Sequence, residues 1–217
     1  MKRKMVIWGA SGHALVVADA VRLAGEYEIA GFLDDQNPDR RGEAFCGSAI
    51  LGGYEMLDGL PATGIEAIFL GFGDGNARLR LAAIVSAKGF SLPMIVHPRA
   101  VVASDVVLGP GTFVAAGAVI NAQARIGAQV IVNTCASVDH ESVVEDGAHI
   151  CPGVHLAGGV RVGRAAWIGI GASVIDKAHI GASSVIGAGA AVVGDIPDGV
   201  IAYGVPARVI RRLDEKL

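Results

Sequence analysis

The sequence predicts an α/β N-terminal domain with a small parallel, Rossmann-like sheet, followed by a left-handed parallel β-helix and a short C-terminal helix. Three observations predict it. Every residue whose number is a multiple of six from Val96 to Val192 is aliphatic, seventeen in succession. At the local frequency of Val, Ile and Leu, such a run arises by chance about once in 10⁸. Two places before each member from Val102 onward lies a small or β-branched residue, from Ala100 and Val106 to Ser184 and Ala190. Residues 1–95 lack this period and alternate strand-like with helix-like segments.

In the first domain, Met5-Val6-Ile7-Trp8 reads as a buried strand and Gly9-Ala10-Ser11-Gly12-His13 as a turn. Ala14 to Ala24 reads as a helix. Ile29 to Leu33 is a second strand ending at Asp34-Asp35, and Ile68 to Gly73 contains a third. A helix over Asn76 to Lys88 should be capped near Asp74 or Asn76. Residues 96–196 form the second domain. Three hexads make one triangular coil: the aliphatic residue points inward, the small residue lets layers close, and glycine or a polar residue turns the corner. Residues eighteen apart then stack at about 4.8 Å. Residues 197–217 are expected to cap the open end, with a short helix finishing at Leu217.

Bulk properties exclude several functions. A net charge of −3 gives no long-range attraction to nucleic acid or anionic membranes. Val106 to Ala124 holds nineteen uncharged residues, but its period is six and it contains Gly109, Pro110 and Asn121, so a membrane span is not expected. The apolar run after Met1-Lys2-Arg3-Lys4 is too short for a secretory signal. Cys46, Cys135 and Cys151 are odd in number and form no CxxC pair, which suits a reducing, cytoplasmic setting.

Candidate chemistry lies in few places. The strand, glycine-rich turn and helix at 5–24 have the parts of a phosphate site, with a carboxylate at the end of the next strand to reach a ribose. A merely tight βα turn fits the same residues. His140 lies in Asp139-His140-Glu141, outward beside a corner, where Glu141 could orient the ring. A lone outward histidine is more usually just a solvated surface residue. His149 precedes inward Ile150, so it points outward, and Ile131, Trp167 and Val185 extend its ladder. So apolar an outward ladder should be covered by another subunit or a ligand. His97, His155 and His179 read as surface or turn residues. The spacing of His140, His149 and His155 does not support a three-histidine zinc site, and no metal is expected.

These marks carry a resemblance: Gly9-Ala10-Ser11-Gly12-His13, Leu33-Asp34-Asp35, Asn133-Thr134 followed by Val138-Asp139-His140-Glu141, and Gly204-Val205-Pro206-Ala207-Arg208. The chain resembles the sialic-acid O-acetyltransferase-like group of hexapeptide acyltransferases. Within that group it is most similar to N-acetyltransferases of nucleotide-linked 4-amino-4,6-dideoxy sugars of the bacillosamine and perosamine types. The resemblance implies a homotrimer with active sites between neighbouring β-helices, acetyl-CoA as co-substrate, and a nucleotide-linked amino sugar as acceptor. It implies His140 as general base, its basicity raised by Glu141. Ser11, Gly12, His13, Asp34, Asp35 and Gly73 would hold the nucleotide-sugar, with Asn133 near the acceptor. His149, Trp167, Ile170 and Ala188, with Gly204, Pro206 and Arg208 of the tail, would lie along acetyl-CoA. The Phe72-Gly73-Asp74-Gly75-Asn76 loop is longer than the short Gly-Asn loop of the bacillosamine enzymes, which leaves UDP and GDP both open. A sugar O-acetyltransferase and a non-catalytic nucleotide-sugar scaffold are the alternatives.

Overall fold

The computed structural model describes residues 2–214. In the first domain, strands β1 (Arg3–Trp8), β2 (Tyr27–Leu33), β3 (Ala44–Phe45), β4 (Ser48–Gly52) and β5 (Ile65–Leu70) form one sheet in the order β3-β4-β2-β1-β5. All neighbours are parallel except the β3–β4 hairpin at the edge, which the sequence reading did not anticipate. Helix α1 (Gly12–Ala24) covers one face and α2 (Gly75–Ala87) the other. The pleat explains the division. Met5 and Ile7 of β1 pack with Ala14, Val17 and Val21 of α1, while Val6 and Trp8 pack with Ala82 and Val85 of α2. Helix α2 starts where expected, with the Asp74 carboxylate accepting from the Ala77 N–H at 2.9 Å.

From Ile95 onward the chain winds as a left-handed parallel β-helix with three faces. The first face carries the two-residue strands at 95–96, 113–114, 131–132, 149–150, 167–168 and 185–186. The second runs from 101–102 to 191–192, and the third from 107–108 to 179–180. Residues eighteen apart pair, as in Ile131, His149, Trp167 and Val185. The aliphatic series is buried from Val114 to Val192. Val96, Val102 and Leu108 are only half-buried, because the first coil has no layer beneath it.

The corners obey a rule of position as much as of residue type. The residue three places after each inward aliphatic is left-handed without a break from Gly111 to Gly189, whether glycine or not; Gln129 (φ 56°) and Glu141 (φ 60°) are examples. Glycines directly after the aliphatic position serve another need. A Cβ on Gly109 would stand 2.5 Å from the backbone nitrogen of Ala128, so these glycines let successive coils approach.

Three further expectations are corrected. The end of the chain is not a short helix: Val200–Gly204 and Ala207–Arg212 form an antiparallel hairpin, and only 215–217 of the expected helix lie outside the described residues. The first of these strands pairs with 185–186, so the open edge of the first face supplies hydrogen bonds that a helix would leave unmade. β-Branched Val200, Ile201, Val209 and Ile210 suit strands, and Gly204 (φ 106°) turns the hairpin. The apolar ladder of the first face, expected to need a partner subunit or a ligand as cover, is covered at Phe113 and Ile131 by the chain's own α1, through Ala14, Val17 and Ala18. His97, expected at the surface, is buried at 8% exposure with its Nδ1 accepting from the Arg99 N–H.

Candidate active site

Three groups of residues build the site. The first is a cleft of about 460 Å³ at the carboxyl ends of β1 and β2. Gly9, Ala10 and Ser11 form its floor at the start of α1, Trp8 and Phe72 give apolar walls, and Asp34, Asp35 and Arg40 line the far side. The open N–H groups of the first turn of α1 suit an anion. Asp34 is buried, accepting from the backbone N–H of Gln36 and Asn37 and from Arg40 Nη1 at 3.0 Å. Asp35 accepts from Trp8 Nε1–H and Tyr54 N–H, both at 2.6 Å. The two carboxylates thus also hold the wall in shape. Gly12 lies exposed beside Ser11 at the start of α1.

The second group is a knot of rings on the first face. His149 is 6% exposed, its ring 4.4 Å from that of Trp167 and 6.2 Å from that of His13. His13 stands edge-on to Phe113. A Cβ on Gly73 would lie 3.3 Å from the Trp167 ring, so the loop after β5 rests directly on this knot. Asn133 Oδ1 accepts from the Thr134 N–H, which turns its Nδ2 to donate to His149 Nε2 at 3.2 Å. This pairing suits the tautomer with its proton on Nδ1, on the side of Gly73. Burial, then the Arg78 charge, pushes the His149 pKa down to about 3 and that of His13 to about 4, so both rings are neutral at working pH.

Asn133 begins the third feature, the edge between the first and second faces. Thr134, Pro152, Ile170 and Ala188 stack along it, with backbone bonds from Gly153 N–H to Thr134 O, Gly171 N–H to Pro152 O and Gly189 N–H to Ile170 O. The hairpin turn at Gly204 and Pro206 continues the line, and Tyr203 packs on Gly187. Ile170 is 57% exposed, an apolar edge open to solvent in this chain. Arg208 lies opposite Tyr203 in the hairpin.

His140 and Glu141 lie apart from all of this, on the corner between the second and third faces. His140 Nδ1 is 3.1 Å from Glu141 Oε2. Asp139 Oδ1 accepts from the His140 N–H and from Asn121 Nδ2, fixing the turn; the first of these bonds is the main cause of a lowered Asp139 pKa. The His140 ring lies over Gly158.

The sequence reading missed two contributors. Gly158 makes room for the His140 ring, and Arg78 bonds both domains. Arg78 had a signal: it occupies the inner stripe of α2 with Ala82 and Val85, where an arginine is out of place.

The PglD N-terminal domain family matches residues 4–85. The structure of PerB from Caulobacter crescentus in complex with CoA and GDP-perosamine superposes with a TM-score of 0.91 at 41% identity, over 95% of this chain and 97% of that one. The chain belongs to the hexapeptide-repeat sugar N-acetyltransferases. A second member, the acetyltransferase domain of PglB from Neisseria gonorrhoeae in complex with acetyl coenzyme A, matches at 36% identity with a TM-score of 0.90, over 97% of this chain and all of that one. Curated relatives match over less. Galactoside O-acetyltransferase of Lactococcus lactis is 47% identical over 49 residues, 23% of this chain. The chain spans between about a quarter and a third of the length of the curated relatives it matches. In this N-acetyltransferase no helix among the described residues is long and apolar enough to cross a membrane.

Proposed function

We propose that this enzyme transfers the acetyl group of acetyl-CoA to the 4-amino group of a UDP- or GDP-linked amino-dideoxy sugar. The observation that carries the reading is a juxtaposition: the loop that walls the nucleotide-sized cleft continues through Gly73 onto the His149–Trp167 knot, beside a long exposed edge. An acceptor sugar leaving the cleft would meet a thioester laid along that edge. Ser11, Gly12, His13, Asp34, Asp35 and Gly73 would hold the nucleotide-sugar, and Asn133 its reacting end. His149, Trp167, Ile170, Ala188, Gly204, Pro206 and Arg208 would line the acetyl-CoA track.

His140 would act as the base, removing the proton from the attacking amine, with Glu141 orienting the ring. In a triangular prism the corner between the second and third faces stands opposite the first face. His140 and His149 of one chain therefore point away from each other. A working site needs His140 of a second copy beside the first face of this one, which supports a closed threefold assembly. The three free cysteines suit a reducing cytoplasm.

Thiol release from acetyl-CoA, measured against a panel of UDP- and GDP-linked 4-amino sugars, tests the reading. Turnover with one nucleotide class and none with the matching 4-hydroxy sugars is expected. Turnover of the hydroxy sugars instead would make the enzyme an O-acetyltransferase, and no turnover with any of them would overturn the reading.

A further inference from the structure

The guanidinium of Arg78 is fully buried, at 1% exposure, between α2 and the β-helix. All five of its N–H donors are used, and every acceptor is a backbone carbonyl. Nη1 donates to Phe72 O at 3.1 Å and Gly73 O at 2.5 Å. Nε and Nη2 both donate to Gln129 O, and Nη2 also reaches Gly147 O at 2.9 Å. Among the described residues no carboxylate bonds to it; Asp74, at the cap of the same helix, only partly offsets the burial that lowers its pKa to about 10.

A buried cation without a bonded counter-ion is a costly way to dock a helix. The docking is tight without it: a Cβ on Gly75 would overlap Gly147 O, and Leu79 fills the space above Gly147. A methionine at position 78 would fill the space but leave the carbonyls of Phe72, Gly73, Gln129 and Gly147 without these donors. What arginine adds is direction, since a planar fork fixes several acceptors at set angles where a lysine has one point of charge. The acceptors lie on both sides of the chemistry. Phe72 walls the nucleotide cleft and Gly73 rests on the Trp167 and His149 rings. Gly147 O belongs to the corner that leads directly into the His149 strand.

We propose that Arg78 is a positioning residue for the transfer: it locks the wall of the nucleotide cleft to the backbone entering His149, and so sets the distance between the bound sugar amine and the thioester. It rests on the acetyl-transfer reading above. The same charge contributes, after burial, to holding His13 and His149 neutral, so that neither ring repels the guanidinium beside it.

Arg78→Met and Arg78→Lys, each purified as the full chain, test it by steady-state kinetics with both substrates and by calorimetric binding of CoA and of free UDP and GDP. Each half-site stays intact in these variants while their alignment is lost. The expected result is a fall in kcat of about 10- to 100-fold, in line with a misplacement near 1 Å, with both KM values and both dissociation constants within about threefold of the parent. Lysine keeps the charge but not the fork, so it should rescue little of kcat. Full kcat in either folded variant overturns the inference. So does a loss that falls equally on kcat and both KM values and tracks a lower Tm, which is the mark of a merely structural arginine. If the methionine variant does not fold, the lysine variant decides. A parent enzyme inactive on every amino sugar fails the functional reading instead, and the two failures are thereby told apart.

Discussion

Replacing Gly158 by alanine should separate the chemistry from the fold. Gly158 is buried one coil beyond His140, and its φ lies outside the left-handed region, so its backbone accepts a side chain. The added Cβ would stand 2.6 Å from Cε1 and 2.7 Å from Nε2 of His140. Ordinary contact begins near 3.4 Å, so the imidazole must move by about 1 Å, a misplacement that can lower a rate by about 10²-fold. The His140 side chain is 59% exposed and swings away without disturbing packing. Stability should therefore be unchanged, or higher by about 0.4–1 kcal/mol because alanine restricts the unfolded chain. The assay is thiol release at saturating acetyl-CoA beside a thermal melt. A fall in kcat of tenfold or more with an unchanged Tm and an unchanged KM for acetyl-CoA is expected. Wild-type kcat would show that the ring position does not matter, and so that His140 is not the base.

Other outcomes follow from the same geometry. His140→Ala should lower kcat/KM by about 10²–10⁴-fold at neutral pH, with partial recovery at high pH where free amine is abundant; an unchanged rate at pH 7 would remove its assignment. Gly109→Ala places a Cβ against the backbone of the next coil and should cost about 1–3 kcal/mol, visible as a lower midpoint in urea; an unchanged midpoint would refute the close-approach account. Stability should also fall below pH 6.5. His13 and His149 stay neutral in the fold down to about 4 and 3, while the unfolded rings take protons below the ordinary histidine value of 6.5. At pH 5 each ring then costs about 2 kcal/mol relative to pH 7.5, a loss that does not arise above pH 6.5. Denaturant titrations at the two pH values check this, and His13→Gln with His149→Gln should flatten the difference.

The β-helix was legible because one local demand repeats: each hexad must offer the same narrow interior a residue of nearly the same size. From that period follow the pairing of residues eighteen apart and the outward direction of His140, His149 and Trp167. The room for the His140 ring was missed, although the signal was there: Gly158 is His140 plus one coil. What the period could not say is which body covers an outward ladder. Ile131 and Phe113 read the same whether an adjoining subunit or the chain's own α1 lies on them. The bonds of Arg78 are harder still, because its acceptors across the domains are carbonyls of residues 51 and 69 positions away, and backbone oxygens leave no trace in side-chain pattern. The C-terminal hairpin was misread because the charged tail suits a helix in isolation, while the decisive factor was the unpaired edge left by Val185 and Ile186.

The edge that runs from Asn133 past Ile170 and Ala188 to Gly204 acts as a ruler. Each graduation is one coil, about 4.8 Å, and each costs the gene eighteen codons. A chain can change the reach of this track only in whole steps. On the proposed acetyl-CoA track, deleting one coil would draw the tail hairpin one graduation nearer to Asn133 and leave an extended cofactor overhanging the end, while adding one would strand it short. Selection on ligand length is therefore quantised in such a molecule, and finer fitting must come from the hairpin that closes it, whose turn at Gly204 and Pro206 is free of the eighteen-residue count.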